Sequence, residues 1–458
     1  MKIIIVGAGE IGKHLAYVLS HDKHDVVVID KSGELLEHIK EHLDVMTIEG
    51  NGSNIDCLIK AGAKSSDILI AVSGNESTNV VSCQIASHLG VKNTICRLDS
   101  KDFFSEKENF LPETLKIKNI IIPLHEAVRK ILNVLDNKIV TERILFTNPN
   151  AIMTAFEVVP SSPIAGARIR DLSNIEILSH IRFAAILRDR KHIIPNGDTI
   201  IVPGDRIYAA GNKDKVQDVV DWNSTDNCRI RKVLIAGASR IGATLAKELY
   251  KMKYEVRVIE KDPKKAADFL DEIKAGVMVI NGDPTDKDTL AESGADTIDA
   301  FISVMDDDED NILCGIMAKE VGAKKVIVTT SKAEYAGIIP AISIIDCGFS
   351  KSIIAVNTVL RVLNLVSESM RVDAILSRAN AFILEFTVHP ESHVCGKRIS
   401  EIKFPLSAVL AMVFRKGEVL SASGGLILQS EDVVVTITER DKISKIEPLF
   451  CRRSIFGL

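Results

Sequence analysis

The chain has 458 residues, and at roughly 100 to 200 residues per domain we expect about three or four domains rather than one compact core. Hydrophobic residues make up 46% and charged residues 26%, which is the composition of a globular protein and excludes a disordered or fibrous chain. A net charge of -5 and a pI near 6.2 argue against a nucleic-acid partner, because such proteins carry a basic surface.

The sequence predicts neither a secretory leader nor a transmembrane segment. Met1 and one lysine lead directly into the buried-strand pattern IIIVG, without a cleavage site. The longest apolar stretches, such as Phe404 to Phe414, are shorter than the roughly 20 residues that a bilayer requires. The eight cysteines lack CxxC pairs and metal-ligand spacing, so we expect buried thiols in a reducing cytoplasm and no metal site.

The first thirty residues predict a nucleotide-binding unit. KIIIVGAGEIGKHLAYVLSHDKHDVVVID is typical of a β-branched strand, a glycine turn, an amphipathic helix and a second strand that ends at Asp30. In this geometry Gly7 makes the tight turn, Gly9 lets a pyrophosphate approach the backbone, and Gly12 lets the helix pack on the strand. The free N–H groups at the start of the helix would then face the phosphates.

Asp30 predicts which nucleotide this unit prefers. It lies 18 residues after Gly12, where a carboxylate accepts hydrogen bonds from a ribose 2′-OH and repels a 2′-phosphate. The site should therefore prefer NAD or adenine nucleotides to NADP. The alternative is a glycine turn that serves packing alone, but the strand, helix and acid all agree with binding.

Further candidates follow the later strands, whose carboxyl ends meet at the ligand edge of a doubly wound sheet. Gly52 and Ser53 come after the third strand, and Ser73 and Gly74 come after the fourth. Arg97 ends the fifth strand in TICRLD. It is either a surface cation or a bidentate clamp on a pyrophosphate.

A second kind of unit follows the first. Residues 167 to 211 contain short β-branched runs separated by Pro, Gly and Asp, as in PNGDTIIVPGD, which predicts a small β-rich domain. Residues 397 to 438 repeat this pattern. The β-rich units offer no residue that stands out as a ligand-binding group.

The whole chain is a tandem repeat. Gly7 and Gly237 are 230 positions apart, and so are Asp30 and Glu260. The segment 281 to 295 matches 51 to 63 with two extra residues, after which the offset is 232 and Asn79 matches Asn311. We therefore predict an α/β fold in which a Rossmann-like, doubly wound parallel-sheet domain and a small β-rich domain occur twice. The predicted boundaries are 1–135, 142–225, 230–365 and 375–458.

The second glycine turn departs from the first. Ser239 replaces the glycine that admits the pyrophosphate, and Met305 and Thr329 replace Ser73 and Arg97. Glu260 keeps the ribose acceptor, and Arg240 offers a new cation. This site either binds a nucleotide with a different preference or has become a packing scaffold. The run MDDDED (305 to 310) is most simply a solvated loop or helix cap, with a divalent-cation site as the alternative.

The sequence lacks a recognisable reaction centre. His192, His389 and His393 stand alone, without an acid or base partner at matching positions of the two halves. GxSxG, HExxH and GKS/T motifs are also absent. Two nucleotide-binding folds without catalytic residues favour a sensor, in which binding energy shifts a conformational equilibrium. We predict that the protein is not an enzyme.

The sequence resembles the RCK/KTN family of regulators of bacterial potassium uptake, over essentially its whole length. The resemblance rests on the alternating architecture, on IIIVGAGEIG at the N-terminus and on GNGSNIDCLIKAGAKSSDILIAVSGNESTN. ICR in the first half, GDPTDKDTL in the second, and the blocks PNGDTIIVPGD and GGLILQSED complete it.

The resemblance implies a peripheral cytoplasmic protein at the inner face of the membrane. It would bind NAD(H), with ATP or ADP as further ligands, and form a homotetrameric ring. It would gate a membrane-embedded potassium-translocating subunit of the TrkH/TrkG type. The implied nucleotide contacts are Gly7, Ala8, Gly9, Glu10, Ile11, Gly12, Asp30, Gly52, Ser53, Ser73, Gly74 and Arg97 in the first half, and Gly237, Ala238, Ser239, Arg240, Ile241 and Glu260 in the second.

Two positions depart from the family pattern. Ser239 disfavours tight pyrophosphate binding at the second site, and Asp99 stands where the family often has a second basic residue, which weakens a clamp built on Arg97. Two other functions stay open: a nicotinamide-dependent oxidoreductase whose second Rossmann unit is a substrate domain, and a nucleotide-dependent scaffold that gates nothing.

Overall fold

The fold is taken from a computed structural model of the chain. The structure describes all residues except 22–23, 101–111, 179, 190, 225–228, 274–275, 340–341, 343, 365–369, 377–380, 406–407, 440–441 and 452–458. The predicted boundaries at 225, 365 and 458, and also Cys228, lie outside the described residues.

The first parallel sheet has six strands in the order β3-β2-β1-β4-β5-β6. The order reverses between β1 and β4, and such a switch point is where doubly wound sheets bind ligands. The core is built from the β-branched strands, and Ile3, Ile4 and Ile5 are fully buried. The elements are β1 (Lys2–Val6), α1 (Glu10–His21), β2 (Asp25–Asp30), α2 (Gly33–His42), β3 (Met46–Glu49), α3 (Ile55–Lys60), β4 (Ile68–Ala71), α4 (Glu76–His88), β5 (Asn93–Arg97), β6 (Asn119–Ile121) and α5 (Pro123–Leu132).

The second parallel sheet repeats this topology, with six strands in the order β14-β13-β12-β15-β16-β17. Its elements are β12 (Lys232–Ala236), α7 (Arg240–Lys251), β13 (Glu255–Glu260), α8 (Pro263–Ile273), β14 (Met278–Asn281), α9 (Lys287–Glu292), β15 (Ala300–Ser303), α10 (Asp308–Val321), β16 (Lys325–Thr330), α11 (Tyr335–Ile338), β17 (Cys347–Ser350) and α12 (Lys351–Asn364).

Each parallel sheet is followed along the chain by a five-stranded sheet whose paired strands run antiparallel, as the β-rich units predicted. The strand orders are β10-β9-β11-β8-β7 and β18-β19-β22-β20-β21. The first comprises β7 (Val140–Leu145), β8 (Ala151–Glu157), β9 (Ile181–Arg188), β10 (Lys191–Ile193), β11 (Arg206–Asn212) and α6 (Lys213–Asn223), and the second β18 (Met370–Leu376), β19 (Ala381–Thr387), β20 (Ala408–Arg415), β21 (Glu418–Ser421), β22 (Val433–Glu439) and α13 (Ile443–Phe450).

The repeated PGD and SED motifs of these β-rich units have a structural role. Arg188 Nε and Nη2 lie 2.6 and 2.8 Å from the two carboxylate oxygens of Asp205, whose side chain is fully buried. Arg415 and Asp432 form the same bidentate pair at 2.8 Å in the other β-rich unit. A buried carboxylate requires such a partner, so both motifs brace the loop before the last strand of their sheet.

Contacts divide the chain into two compact units. Unit 1 contains Met1–Val128, Thr330–Tyr335 and Phe349–Val362, and unit 2 contains the rest. Within unit 2, the two antiparallel sheets share one hydrophobic core, in which Met153 and Tyr208 of the first sheet lie with Met412 and Val435 of the second. The internal repeat therefore brings its two β-rich copies together within one chain.

The structure corrects the alignment of the two halves. Gly50 N–H donates to the carbonyl oxygen of Asp30 at 2.8 Å, and Gly282 N–H donates to that of Glu260 at 3.0 Å. Gly282 is therefore equivalent to Gly50, and the two extra residues lie between Glu260 and Gly282, around α8, rather than within 281 to 295. That prediction was wrong because the NG dipeptides at 51 and 281 look alike.

Two predictions from the sequence concern the cysteines, expected to be buried thiols, and the helices, none of which was expected to span a membrane. Of the described cysteines, which are all free thiols, five are buried, and Cys395 and Cys451 are half-buried. Among the described residues, every helix is too short or too polar to traverse a lipid bilayer.

Candidate functional site

The first glycine turn connects β1 to α1 at the switch point of the first sheet. Gly7 has φ 110°, a conformation that side chains disfavour, and a Cβ there would lie 2.7 Å from the backbone nitrogen of Ser73. A Cβ at Gly12 would overlap the carbonyl oxygen of Gly7. Both glycines are therefore required by the fold itself.

Gly9 differs from these two glycines. It is exposed, and a Cβ built on it would have no neighbour within 4 Å. Gly9 is the residue before α1, since its carbonyl accepts the N–H of Lys13 at 2.8 Å, and it has no side chain that could cap the helix. The open space and the helix N-terminus fit an approaching phosphate. Glu10, in the first turn of the helix, is negatively charged, whereas a phosphate would favour a cation there.

Asp30 lies beside this turn at the end of β2. Its two oxygens accept the backbone N–H groups of Ala8 at 2.6 Å and Ser32 at 2.9 Å. A carboxylate oxygen has room for a second donor, so Asp30 can fix the turn and still accept a ribose hydroxyl. The structure thus brings Asp30 and the glycine turn together, as the 18-residue spacing predicted.

Asn79 joins two other predicted positions, and sequence analysis missed its role. It is buried on α4; its Oδ1 accepts the N–H and the hydroxyl of Ser73 at 2.9 and 2.7 Å, and its Nδ2 donates to the carbonyls of Ser73 and Arg97 at 3.0 Å each. Ser73 follows the end of β4 and Arg97 ends the neighbouring strand β5, so Asn79 ties the ends of these two strands together. The match of Asn79 with Asn311 in the repeat was the available signal.

The positive charge of the Arg97 side chain is partly compensated by the carboxylate of Asp99. Its Nη2 lies 3.4 Å from Oδ1 of Asp99, while its Nε is buried and has no hydrogen-bond partner among the described residues. Asp99 N–H in turn donates to Glu76 Oε1. Arg97 therefore retains donor capacity for an anion but shares its charge with Asp99, as the sequence suggested.

The remaining candidates of the first half divide into two kinds. Gly74 is exposed with open space around it, and the backbone there can be approached by a ligand. Gly52 is buried, and a Cβ there would overlap Cγ1 of Val6. Ser53 donates its N–H and hydroxyl to Oδ1 of Asn51 at 3.1 and 2.9 Å. Gly52 is thus explained by packing, and Ser53 by a local turn. Ile11 is half-buried in the first turn of α1.

The second glycine turn keeps the backbone geometry of the first. Gly237 has φ 106°, and the N–H of Ala238 donates to Oε2 of Glu260 at 2.7 Å. Asp262 N–H donates to the other oxygen, Oε1, at 2.9 Å. Glu260 therefore occupies the place of Asp30, and the ribose-reading geometry is retained.

Ser239 changes the start of the second helix. Its hydroxyl donates to the carbonyl of Val304 at 2.6 Å and accepts the N–H of Gly242 at 3.2 Å, so it caps α7. A helix N–H that is already bonded to a side chain is less available to a phosphate. Arg240, exposed in the next position, and half-buried Ile241 complete this turn.

The other strand ends of the second half also differ. Asn311 holds Met305 as Asn79 holds Ser73, with bonds of 2.8 and 2.9 Å, but Thr329 is fully buried and donates to the carbonyl of Ser303 at 3.1 Å. No guanidinium therefore replaces that of Arg97 there. Asp307 caps α10 by accepting the N–H of Asp310 at 2.8 Å, which confirms the helix-cap interpretation of MDDDED.

The residues of the first turn fit a dinucleotide or adenine nucleotide. They combine an open glycine that precedes the helix, a carboxylate at the ribose position and an arginine whose Nε has no hydrogen-bond partner in the described part of the chain. The second turn offers the carboxylate without the open helix end. In the described part of the chain, the His, Cys, Asp and Glu side chains do not form a group of three that could hold a metal ion.

Comparison with known families and proteins agrees with this architecture. The TrkA-N domain family matches residues 3–123 and 233–346, and the TrkA-C domain family matches 153–223 and 383–450. Trk system potassium uptake protein TrkA homolog 1 of Methanosarcina mazei is 30% identical over 459 residues, which cover 98% of this chain and 100% of that protein. The TrkA protein of Vibrio alginolyticus is 30% identical over 461 residues, with 98% of both chains covered.

Solved structures share the fold at lower identity. The crystal structure of the GsuK RCK domain has a TM-score of 0.62 at 16% identity and covers 98% of this chain and 94% of its own. The GsuK channel bound to NAD has a TM-score of 0.61 at 16% identity, covering 98% and 78%. With both domain families matched twice and a relative at 30% identity spanning it, the chain belongs to the TrkA family.

Proposed function

We propose that the protein is the regulatory subunit of a potassium-uptake system, and that it binds NAD(H) or an adenine nucleotide at the first glycine turn. Its family relatives are named Trk system potassium uptake proteins, and the GsuK channel, which shares this fold, has been solved with NAD bound. The four-domain division given above is part of this proposal, as is a peripheral position at the cytoplasmic face of the membrane.

The observation that carries the proposal is the contrast between Gly9 and its neighbours. Gly7 and Gly12 are required for packing, whereas Gly9 has open space around it at the start of α1. A fold that needed only a tight turn would not require a glycine there. The nearby Asp30 carboxylate, bonded to Ala8 N–H, then selects a free 2′-hydroxyl.

We infer that the proposed site acts through allostery rather than catalysis. The ligand would be held by Gly7 to Gly12, Asp30, Ser73, Gly74 and Arg97, and its binding would shift the equilibrium of a TrkH/TrkG-like potassium-translocating subunit. Coupling free energies of about 1–3 kcal/mol per site are typical. Several chains in a homotetrameric ring would add their contributions and move a gate between mostly closed and mostly open.

The second glycine turn would bind the same class of ligand more weakly, or none. Glu260 supports a ribose contact, but the Ser239 cap and the replacement of Arg97 by buried Thr329 remove the phosphate contacts. The two turns would therefore differ in affinity, and the first would be the principal sensor.

Isothermal calorimetry with NADH, NAD, ATP and ADP tests this proposal on the full chain. The variants are Asp30→Ala and the matched Glu260→Ala, each with an NADH-oxidation assay on the same sample. We expect micromolar binding that Asp30→Ala abolishes and Glu260→Ala changes little, without turnover. Potassium flux into vesicles that carry the partner channel then measures gating.

The rival functions predict different results. NADH turnover with a small metabolite would establish an oxidoreductase. Nucleotide binding that changes assembly but leaves potassium flux constant would establish a scaffold. Binding that survives Asp30→Ala would place the ligand elsewhere and contradict the proposed site.

A further inference from the structure

Lys325 is a buried cation, and each of the three hydrogen-bond donors of its ammonium group has an acceptor. It begins β16 and its side chain is fully buried. Its Nζ donates to the carbonyl oxygens of Val134, Asn137 and Val140, the last two at 2.8 and 2.7 Å. An ammonium group has three donors, so none is left over. Burial lowers its pKa, and the three oxygens oppose this loss of charge.

The three acceptors belong to one short segment, residues 133–140, which we call the first linker. It runs from the end of α5 to the first residue of β7, the first strand of the β-rich unit. Val134 and Leu135 are fully buried, although loops usually lie at the surface where water satisfies their carbonyl groups. Lys325 takes the place of that water, which explains how an irregular segment can be buried.

Further contacts hold the first linker at the amino-terminal edge of the second parallel sheet, that is, at the end of the sheet where its strands begin. Lys138 Nζ lies 3.7 Å from Oδ1 of Asp299, and Asp299 Oδ2 accepts the N–H groups of Arg231 and Lys232 at 2.9 and 3.1 Å. Cys347 Sγ lies 3.8 Å from the carbonyl of Val140. This edge is the opposite end of the sheet from the Gly237 turn, because parallel strands place their carboxyl ends together.

The first β-rich unit contacts the same edge. Arg206 of β11 donates from Nη2 to the carbonyl of Asp346 at 3.4 Å. The Asp346 carboxylate accepts the N–H of Val326 at 2.6 Å and the ammonium of Lys319 at 2.8 Å. Asp346, which accepts the N–H of the residue after Lys325, therefore joins the second parallel sheet to β11.

We propose that Lys325 acts as a built-in monovalent cation in a cage of three carbonyl oxygens, and that it fixes the first linker to the second parallel sheet. The sheet, the linker and the first antiparallel sheet then behave as one body. The cage chemistry is that of a potassium or ammonium ion, which carbonyl oxygens bind in place of water. The equivalent position in the first half is Asn93, an uncharged residue whose Oδ1 accepts a hydrogen bond from Lys118 Nζ at 2.6 Å, so the first half has no lysine at this position.

Hydrogen exchange of the full chain tests the cage. In Lys325→Met we expect the linker amides of residues 133–140 to exchange at least about tenfold faster than in the wild type. Lys324→Met is the matched control: its lysine is half exposed and pairs with Asp299 at 3.1 Å. It should leave these amides within about twofold of the wild type. Unchanged linker protection in Lys325→Met would overturn the proposal.

Chemical rescue tests the cation itself. Lys325→Ala leaves a cavity and three unpaired carbonyls, so ammonium or potassium chloride should restore linker protection, whereas choline chloride at equal ionic strength should not. Equal recovery in all three salts, or recovery in none, would contradict a monovalent-cation cage.

A wild-type measurement covers the case in which these variants fail to fold. Acylation of amines followed by peptide mass spectrometry should label Lys324 at least about a hundredfold faster than Lys325, because labelling of Lys325 requires the linker to open. Equal labelling rates would show that Lys325 is not held in the cage.

Discussion

The hydroxyl of Ser239 accepts a hydrogen bond from the backbone N–H of Gly242 at 3.2 Å. The corresponding residue of the first half is Gly9, which has no side chain with which to accept the N–H of Gly12. One residue therefore separates a helix start that can receive an anion from one that is already capped.

We predict that Ser239→Gly raises the affinity of the second turn for ADP by about tenfold. The substitution opens the turn and frees the N–H of Gly242, while Glu260 stays bonded to Ala238 N–H, where it could accept a ribose hydroxyl. Replacing a serine cap by glycine costs only a few tenths of a kcal/mol, so folding should be retained. Calorimetry in an Asp30→Ala background isolates this site.

Ser239→Ala is the control for this variant. It also removes the cap but keeps a Cβ in the space that a pyrophosphate would occupy, so its affinity should stay near that of Ser239. If Ser239→Gly binds ADP no more tightly than Ser239→Ala, the cap is not what weakens the second turn.

An alanine substitution should have different effects at two glycines of the first turn: it should lower ligand affinity at Gly9 and stability at Gly12. Gly9→Ala meets no atom within 4 Å, so the melting temperature should be unchanged while NADH affinity falls at least about tenfold. Gly12→Ala overlaps the Gly7 carbonyl and should destabilise the fold by about 1–3 kcal/mol or more. Thermal unfolding and calorimetry on both variants separate packing from binding. A Gly9→Ala protein with wild-type affinity would mean that no phosphate approaches this residue.

Asn79 should be essential to the nucleotide site. Asn79→Ala removes four hydrogen bonds, to the backbone and hydroxyl of Ser73 and to the Arg97 carbonyl. At about 1 kcal/mol each, the free energy of unfolding should fall by roughly 3–4 kcal/mol. NADH affinity should fall as well, because the ends of β4 and β5 lose their common support.

Asn311→Ala is the matched variant in the second half. It removes bonds to Met305 and Ser303, and among the described residues none of its side-chain bonds reaches the strand that carries Thr329. It should destabilise the chain to a similar degree. First-site NADH affinity should nevertheless remain at the wild-type value. Equal losses of affinity in both variants would indicate a general effect of instability.

Local patterns predicted the parts of the site that lie close together in sequence. The strand, glycine turn, helix and Asp30 follow one another within thirty residues, and their spacing alone places Asp30 beside Ala8. Asn79 could not be recognised in this way, because no sequence motif marks an amide on α4 as the partner of Ser73 and Arg97. Lys325 could not be recognised because its partners are about 190 residues away. A lysine at the start of a strand is usually a solvated charge.

The predicted alignment of the repeat failed for a related reason. Asn51 and Asp283 are equivalent, since each accepts the N–H and hydroxyl of the residue two positions later, Ser53 and Thr285. An amide in one half is thus a carboxylate in the other, and the shared turn is visible only from its hydrogen bonds.

The carboxylate of Asp283, which stands where the first half has the amide of Asn51, predicts that the stability of the protein depends on pH. The Lys261 ammonium, 2.6 Å from Asp283 Oδ2, and the Thr285 hydroxyl hold the pKa of Asp283 at about 2, below the unfolded value of about 3.9. A depressed carboxyl pKa contributes stability that is fully present above about pH 4 and is lost as the pH falls towards 2.

Asp283→Asn, which installs the amide of the first half, removes this contribution while keeping the turn. The wild type should have the higher melting temperature at pH 5 to 7, and the difference should shrink as the pH falls from about 4 to 2. Because Asp283 is one-third exposed, high salt should also reduce the difference. Melting curves of both proteins between about pH 2 and 7 measure it. A difference that stays constant with pH would show that the Asp283 carboxylate contributes no charge-dependent stability.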